Sequence, residues 1–472
     1  MFLRRFYDDG LAQASWMIGC QKTGDAIVID ANRDIRQYLD AATAEKLRIT
    51  QVTETHIHAD FVSGARELAR ATGATLFLSA EGGSDWQYGF AAADGAHLLH
   101  DGDVISVGNI RIEVMHTPGH TPEHLSFLVT DTAAASEPIG IVTGDFVFVG
   151  DVGRPDLLEK AAKVANTMEA GARQLFHSLE RFRALPDFVQ VWPGHGAGSA
   201  CGKALGAIPT STVGYEKRFN WGVATTDETE FVRMVLEGQP EPPLYFAEMK
   251  RINRDGPTIL GGFPTPELGD ADHLARTLAS GAVVIDTRPA AIFGAGHIPG
   301  TLNIPLNKSF STWAGWLVRY DVDITLIGED ARAVATAVRE LAMIGLDRVT
   351  AWYPSTVVTA WQDAGRRLGT IVTLDPATLA PQLTSGAVTL IDVRNQSEWS
   401  AGHLPYARHI PLGHLAERLA EIPRDRPIVV QCQGGARSAI AAAHLQRLGL
   451  SNVHDLLGGF QRWASEGHEV VR

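Results

Sequence analysis

Short runs of apolar, β-branched residues recur along the whole chain, each closed by turn residues and followed by an amphipathic stretch. Ala26-Ile27-Val28-Ile29, Arg111-Ile112-Glu113-Val114 and Val189-Gln190-Val191-Trp192 are examples, and a polar or glycine-rich segment follows each. Runs this short predict strands, and their alternation with helix-period stretches predicts an α/β architecture in layers. The pattern breaks at Gln239-Pro240-Glu241-Pro242-Pro243, at Gly256-Pro257 and at Gly261-Gly262-Phe263-Pro264-Thr265-Pro266. Proline and glycine at that density predict a connector, which places the end of a large first domain near residue 255.

Beyond the connector the sequence repeats itself. Ser280-Gly281-Ala282-Val283-Val284-Ile285-Asp286-Thr287-Arg288 returns as Ser385-Gly386-Ala387-Val388-Thr389-Leu390-Ile391-Asp392-Val393-Arg394. Gly296-His297-Ile298-Pro299 returns as Gly402-His403-Leu404-Pro405, Ile304-Pro305-Leu306 as Ile410-Pro411-Leu412, and Gly345-Leu346 as Gly449-Leu450. Matched blocks in the same order over such a span predict two copies of one small α/β domain, at 267–372 and 373–472.

A length of 472 residues suits several domains. The 41 basic and 54 acidic residues give 41 − 54 = −13, which argues against nucleic acid as a partner, because phosphate demands a basic surface. Hydrophobic content of 45% and charged content of 20% are those of a globular chain. No stretch approaches the roughly 18 consecutive apolar residues of a membrane span. The opening Met1–Gly10 has positive charge without an apolar segment behind it, so no secretory leader and no membrane partner are expected. Three cysteines, Cys20, Cys201 and Cys432, cannot build a disulfide framework, and a reducing, cytoplasmic location is the expectation.

The candidate chemistry of the first domain lies just after its predicted strands. Thr53-Glu54-Thr55-His56-Ile57-His58-Ala59-Asp60 closes the run that begins at Ile49, and the amphipathic stretch Val62–Ala71 follows. His116-Thr117-Pro118-Gly119-His120-Thr121, Thr143-Gly144-Asp145 and Pro193-Gly194-His195-Gly196 come next. Imidazoles and carboxylates at strand ends are the ligand set of zinc or non-haem iron.

These residues, in this order, resemble the metallo-β-lactamase fold over roughly residues 1–250. Members usually carry His-x-His-x-Asp-His, whose last histidine serves a second metal in binuclear zinc hydrolases such as glyoxalase II. Phe61 stands there in this chain, and a phenyl ring cannot coordinate, so a mononuclear centre is expected. The branch resembled is the persulfide dioxygenases. That resemblance implies one non-haem Fe(II) per chain held by His56, His120 and Asp145, with His58, Asp60 and His195 orienting ligands or bonding substrate and water. Gly153-Arg154-Pro155-Asp156 resembles the family's loop below the metal, and Arg154, Tyr215, Lys217 and Arg218 are candidates for holding the carboxylates of a thiol carrier such as glutathione. Cys201, six residues past His195, is a candidate accessory thiol, and Cys20 is expected to be core packing.

In the second repeat, the run Pro427-Ile428-Val429-Val430-Gln431 leads into Cys432-Gln433-Gly434-Gly435-Ala436-Arg437-Ser438 and then a helix-period stretch. A cysteine between a strand end and a helix N-terminus lies among backbone N–H groups, which stabilise a thiolate and any anion it carries, and Arg437 adds positive charge. With Asp392-Val393-Arg394, Gly402-His403 and Gly458-Gly459-Phe460, this loop resembles the rhodanese sulfurtransferases. The resemblance implies Cys432 as the nucleophile that carries sulfane sulfur, Arg437 beside it, and Gln433, Gly434, Gly435 and Ala436 as the persulfide loop. In the first repeat Gly328-Glu329-Asp330 follows the corresponding run, so that copy lacks the nucleophile and is expected to be silent.

Taken together, the expected fold is multidomain α/β: an αββα metallo-β-lactamase fold followed by two rhodanese-like domains with parallel sheets. The order resembles bacterial persulfide dioxygenase–sulfurtransferase fusions. It implies a thiol persulfide, O₂ and sulfite or thiosulfate as small-molecule partners, and a homo-oligomeric assembly. The rival reading is a zinc thiolester hydrolase of glyoxalase II type fused to a sulfurtransferase, against which Phe61 counts. A sulfur-carrier or sensor scaffold with a structural metal is the non-enzymatic alternative.

Overall fold

Alternation along the early strands decides the layering of the first half. In Gln13–Cys20, Trp16 and Ile18 point one way and Met17 the other; in Asp25–Ile29, Ile27 and Ile29 oppose Ala26 and Val28. Both faces are therefore apolar, and both are covered. Fully burying such side chains contributes about 2 kcal/mol each relative to leaving them in water.

The computed structural model describes residues 1–160, 167–203, 205–239 and 241–472, so Pro240 of the expected connector lies outside the described residues. The chain forms two compact units, one of Met1–Gly262 with Ala342–Gly345 and the other of Phe263–Leu341 with Leu346–Arg472. The first contains two six-stranded sheets. One runs in chain order through Phe2–Asp8, Gln13–Cys20, Asp25–Ile29, Arg48–Thr53, Thr75–Ser79 and His97–Leu99, antiparallel at its start and parallel from Asp25 onward. The other is ordered Ser211–Thr212, Gln190–Pro193, Gly140–Gly144, Leu125–Asp131, Ile110–His116, Val104–Val107.

Trp16, Ile18, Ile27 and Ile29 of the first sheet pack with Ile112, Val114, Phe127, Val142 and Trp192 of the second. The opposite face of the first sheet, with Met17, Val28 and Val52, takes Tyr38, Ala41 and Leu68 from the helices Arg36–Glu45 and Ala65–Thr72. That of the second, with Met115, Ile141 and Val191, takes Leu175, Phe176, Leu179 and Phe182 from the helix Met168–Arg183. This is the αββα layering expected from the sequence. Cys20 lies in the inter-sheet core, as core packing requires.

The second unit holds two five-stranded parallel sheets of one topology. The first is ordered Glu267–Leu268, Val349–Pro354, Ile324–Gly328, Val283–Asp286, Leu302–Asn303; the second Val372–Leu374, Val453–Leu456, Ile428–Gln431, Thr389–Asp392, Arg408–His409. Matched sequence blocks thus occupy matched positions, with the Asp286-Thr287-Arg288 and Asp392-Val393-Arg394 corners at equivalent strand ends.

The last residues of the expected first domain, between Pro243 and Gly256, form the ten-residue helix Phe246–Asp255, to which the sequence reading assigned no element. Its apolar side chains account for it: Phe246 and Met249 are buried, so the prolines bracket a helix that packs on the first unit.

Candidate metal centre and cysteine loop

His56, His120 and Asp145 each follow a strand, two on one side of the inter-sheet core and one on the other, and the packing of the sheets brings them together. One ligand-type atom from each lies within 4.8 Å of the others, and all three residues are buried. His120 Nε2 is 3.5 Å and His56 Nε2 3.9 Å from Asp145 Oδ2.

Hydrogen bonds aim these groups. His120 Nδ1 donates to the Arg154 carbonyl oxygen at 3.2 Å, and a carbonyl only accepts, so the lone pair of Nε2 faces the cluster. The His56 Nδ1 lies 2.9 Å from Thr55 Oγ1, whose hydroxyl donates to Asp30 Oδ2 at 3.0 Å; His56 Nδ1 is then the donor and Nε2 again carries the lone pair. The Asp145 backbone N–H donates to His124 Nε2 at 3.1 Å, and Gly144, at φ 48°, lets the chain turn against Thr55, where a Cβ would collide with the hydroxyl.

Charge states agree with that geometry. Burial, with His58 and His120 nearby, holds the His56 imidazole far below its ordinary pKa, and burial lowers His120 despite Asp145. Burial would raise the Asp145 carboxyl, but His195 and His120 outweigh it and keep it low. Two neutral imidazoles and a carboxylate are metal-ready ligands. Both Asp145 oxygens are buried without a hydrogen-bond donor of good geometry among the described residues, an arrangement a bound cation satisfies. The donor set therefore fits a divalent metal.

The remaining expected residues divide. His195 donates from Nδ1 to the Ala12 carbonyl at 2.9 Å, and its Nε2 lies 3.3 Å from both Asp60 Oδ2 and Asp145 Oδ1. Asp60, His195 and Cys201 form a second buried group of ligand-type atoms within 4.8 Å of one another, which places Cys201 beside the centre. Burial, then Asp145 and Asp60, pushes the Cys201 thiol well above its ordinary pKa. His58 turns away: its Nε2 pairs with Asp30 Oδ1 at 3.1 Å. Burial opposes protonation of His58, but Asp30, with Glu54 and Asp60, overrides it and lifts the imidazole to about 9. Phe61 is fully buried, 4.4 Å ring to ring from His58.

The expected carboxylate-holding residues are placed otherwise. Arg154 is completely buried, its guanidinium bonded to both oxygens of Asp156 at 3.0 and 2.8 Å and to the Ala200 carbonyl at 2.8 Å. It braces the loop that aims His120 and has no face left for a substrate. Lys217 Nζ is committed to the Leu185 carbonyl and to Asp187 Oδ1, at 2.7 and 2.6 Å. Tyr215 and Arg218, on the same short helix, are exposed.

Three positioning residues escaped the sequence reading. Asp30, just past the strand Asp25–Ile29, stands at φ 57°, which aspartate tolerates, and binds Thr55 N, Thr55 Oγ1 and His58 together. His124 orients Asp145, and the spacing from His116 and His120 is the only hint of it. Asn253, on the helix Phe246–Asp255, donates to the carbonyls of His58 and Phe61 at 2.8 and 2.7 Å and accepts from Ser63 N at 2.9 Å. No local signal announces a contact across 190 residues of chain.

At the far end, Cys432 leaves the strand Ile428–Gln431 just before the helix Ala436–Arg447 and is 1% exposed. The Gly435 N–H donates to its Sγ at 3.1 Å. The Gly458–Gly459 turn holds the loop from behind: Phe460 N donates to the Cys432 carbonyl at 2.8 Å and Gln461 N to that of Gln433 at 2.9 Å. Arg394 is fixed by Asp392 and lends Nη1 to Gln433 Oε1 at 3.3 Å. Arg437 is not a bare charge, because both terminal nitrogens bond Glu398.

Comparison with known proteins agrees with this division. The model of the metallo-beta-lactamase superfamily matches residues 8–195, and that of the rhodanese-like domain matches 375–466. A solved metallo-beta-lactamase structure from Staphylococcus aureus is 46% identical with a TM-score of 0.69, covering 75% of this chain and 99% of that one. A beta-lactamase hydrolase-like protein of Xylella fastidiosa is 28% identical over 296 residues, 57% of this chain and 63% of its own length. The chain thus spans less than two thirds of that curated relative. A sulfurtransferase of Allochromatium vinosum is 39% identical over 84 residues, 18% of this chain and 78% of its own.

Proposed function

The chain belongs to the metallo-β-lactamase superfamily and carries a rhodanese-like domain behind it, and from that premise we propose that it is a persulfide dioxygenase joined to a sulfurtransferase. The observation that carries the reading is the pairing, in one chain, of a buried His56–His120–Asp145 donor set with a cysteine loop built for anionic sulfur. One Fe(II) per chain would be held by those three residues. Bound there, it would supply the redox chemistry by which O₂ reacts with a sulfur anion.

The first reaction is R–S–SH + O₂ + H₂O → R–SH + SO₃²⁻ + 2H⁺. His195, held by Ala12 and facing Asp60 and Asp145, would accept or return the proton of the persulfide. Phe61 and His58, both buried and in ring contact, would help keep bulk water from the donor set. In the second reaction Cys432–S–S⁻ + SO₃²⁻ → Cys432–S⁻ + S₂O₃²⁻: the S–S bond breaks, sulfite takes the outer sulfur and the electron pair stays on Cys432. The Gly435 N–H stabilises the sulfur anion on either side of the transfer. The copy at 267–372, with Gly328 where the other has Cys432, takes no part in this step. A low-molecular-weight thiol such as glutathione is the carrier, in a cytoplasmic setting and a homo-oligomeric enzyme.

The test is aerobic turnover of glutathione persulfide by iron-loaded protein, with O₂ uptake, sulfite and thiosulfate measured separately. Oxygen uptake with thiosulfate as the end product is expected. Stoichiometric zinc, thiolester hydrolysis and no O₂ uptake would overturn the reading in favour of a hydrolase.

A further inference from the structure

The copy that lacks a cysteine supplies no reacting group, yet it borders the one that has it. A cavity of about 450 Å³ lies at the carboxyl ends of the active repeat's strands, where α/β sheets bind ligands. Gly434 and Gly435 of the cysteine loop line it, with Asp455 from the strand Val453–Leu456. Gly435 is also the residue whose N–H reaches Cys432 Sγ at 3.1 Å, so the cavity shares a wall with the cradle of the sulfur carrier.

Another wall belongs to the silent repeat. Its short helix Ala290–Ala295 turns Ala290, Ala291, Gly294 and Ala295 to the cavity, a helical face on which no side chain exceeds a methyl group. The segment joining the repeats ties the two walls together. Ile371 N donates to the Gly294 carbonyl at 2.9 Å, and Gln446, on the helix Ala436–Arg447, donates to the Thr370 carbonyl at 2.9 Å. Asp455 is the one ionisable side chain among the lining residues, and its Oδ1 is buried with no hydrogen-bond partner among the described residues. A buried acceptor in that state calls for a donor from a bound molecule.

Resting on the sulfurtransferase reading of Cys432, we propose that this cavity seats the organic part of a low-molecular-weight thiol that exchanges sulfane sulfur with Cys432. That thiol carries an amide or ammonium N–H for Asp455, and the small face of the silent helix sets how large it can be. The exchange is Cys432–S–S⁻ + R–SH → Cys432–S⁻ + R–S–SH. The thiol sulfur bonds the outer sulfur, the S–S bond to Cys432 breaks with its electron pair left there, and the thiol proton passes to the transferred sulfur. Sulfite needs no such room, which leaves the cavity to the carrier.

The full chain, loaded with sulfane sulfur from thiosulfate and offered glutathione, ethanethiol or cyanide as acceptor, tests it. A Cβ at Gly294 would lie 3.7 Å from the Ile371 carbonyl oxygen, an ordinary contact, so Gly294→Leu suits its backbone and fills the cavity. Ala291→Leu does the same from an exposed position. Each variant should lower the ratio of glutathione to cyanide turnover by about tenfold, the effect of overfilling a site. Asp455→Ala should lower the ratio of glutathione to ethanethiol turnover by about fivefold, for one lost hydrogen bond. Unchanged ratios, or an equal loss with every acceptor, would overturn the proposal. A wild type that takes no sulfane sulfur onto Cys432 would refute the sulfurtransferase reading, and this role of the cavity with it.

Discussion

Arg437 and Glu398 are joined by two hydrogen bonds, of 2.7 and 2.6 Å, beside the Cys432 loop. Glu398 also closes the N-terminus of its own helix, in a reciprocal capping box with Asn395. One carboxylate therefore fixes both a helix end and a cation of the cysteine loop.

That pairing has a pH signature. Burial would raise the Glu398 carboxyl, but the hydrogen bonds and charge of Arg437 outweigh it and hold it below its ordinary 4.5. A group depressed in the folded state contributes stability that is complete above the unfolded value and is lost as pH falls through the folded one. Urea unfolding of wild type and Glu398→Gln should therefore differ at pH 7 and converge on the acid side of the carboxylate range. A difference that stays constant down to acid pH would refute the coupling.

The two chemistries should separate by mutation. His56→Ala removes one of the three proposed ligands and should abolish both metal retention and O₂ uptake while leaving sulfur exchange between thiosulfate and sulfite. Cys432→Ser should keep O₂ uptake and sulfite release and lose thiosulfate. Metal analysis, oxygen-electrode traces and product assays on the two variants check this.

Asn253 should act on the metal from a distance. Asn253→Ala breaks three hydrogen bonds to the loop His58–Ser63, which follows His56 in the chain, and a loosened loop should hold His56 less firmly. Competition with a chelator should show weaker metal retention, and Asn253→Asp, which cannot donate to the two carbonyls, should not restore it. Unchanged retention in both variants would remove Asn253 from the site.

Gly459→Ala should silence sulfur transfer alone. Gly459 sits at φ 57°, and a Cβ there would collide with the Cys432 carbonyl oxygen while lying 3.1 Å from the Gln433 carbonyl carbon. The loop must shift, so thiosulfate formation should fall by at least about tenfold as cradle geometry is lost. Oxygen uptake on a thiol persulfide should not change.

Much of the fold was legible because its signals are local. Period-two alternation at Trp16-Met17-Ile18 encodes two covered faces, and the repeated Asp-x-Arg and Gly-His blocks encode two copies of one sheet. The Cys432 loop was legible for the same reason: strand, cysteine, glycines and helix are contiguous. The helix Phe246–Asp255 was missed because flanking prolines dominate a composition reading, whereas burial of Phe246 and Met249 decides the structure.

By itself, then, the sequence determined the layers, the repeat and the chemical types available, namely imidazole, carboxylate and one cysteine at a strand end. Only the tertiary structure decided which of them meet. His56 and His58 are two residues apart and identical in kind, yet one faces the Asp145 cluster and the other Asp30. Arg154 and Lys217 are cations like any other in the sequence, and their charge is consumed by Asp156 and Asp187. The physical reason is that a side chain's direction, tautomer and free valence depend on the partners that other strands bring to it. Those partners are fixed when the sheets pack, and the residue's own neighbourhood in the chain does not contain them.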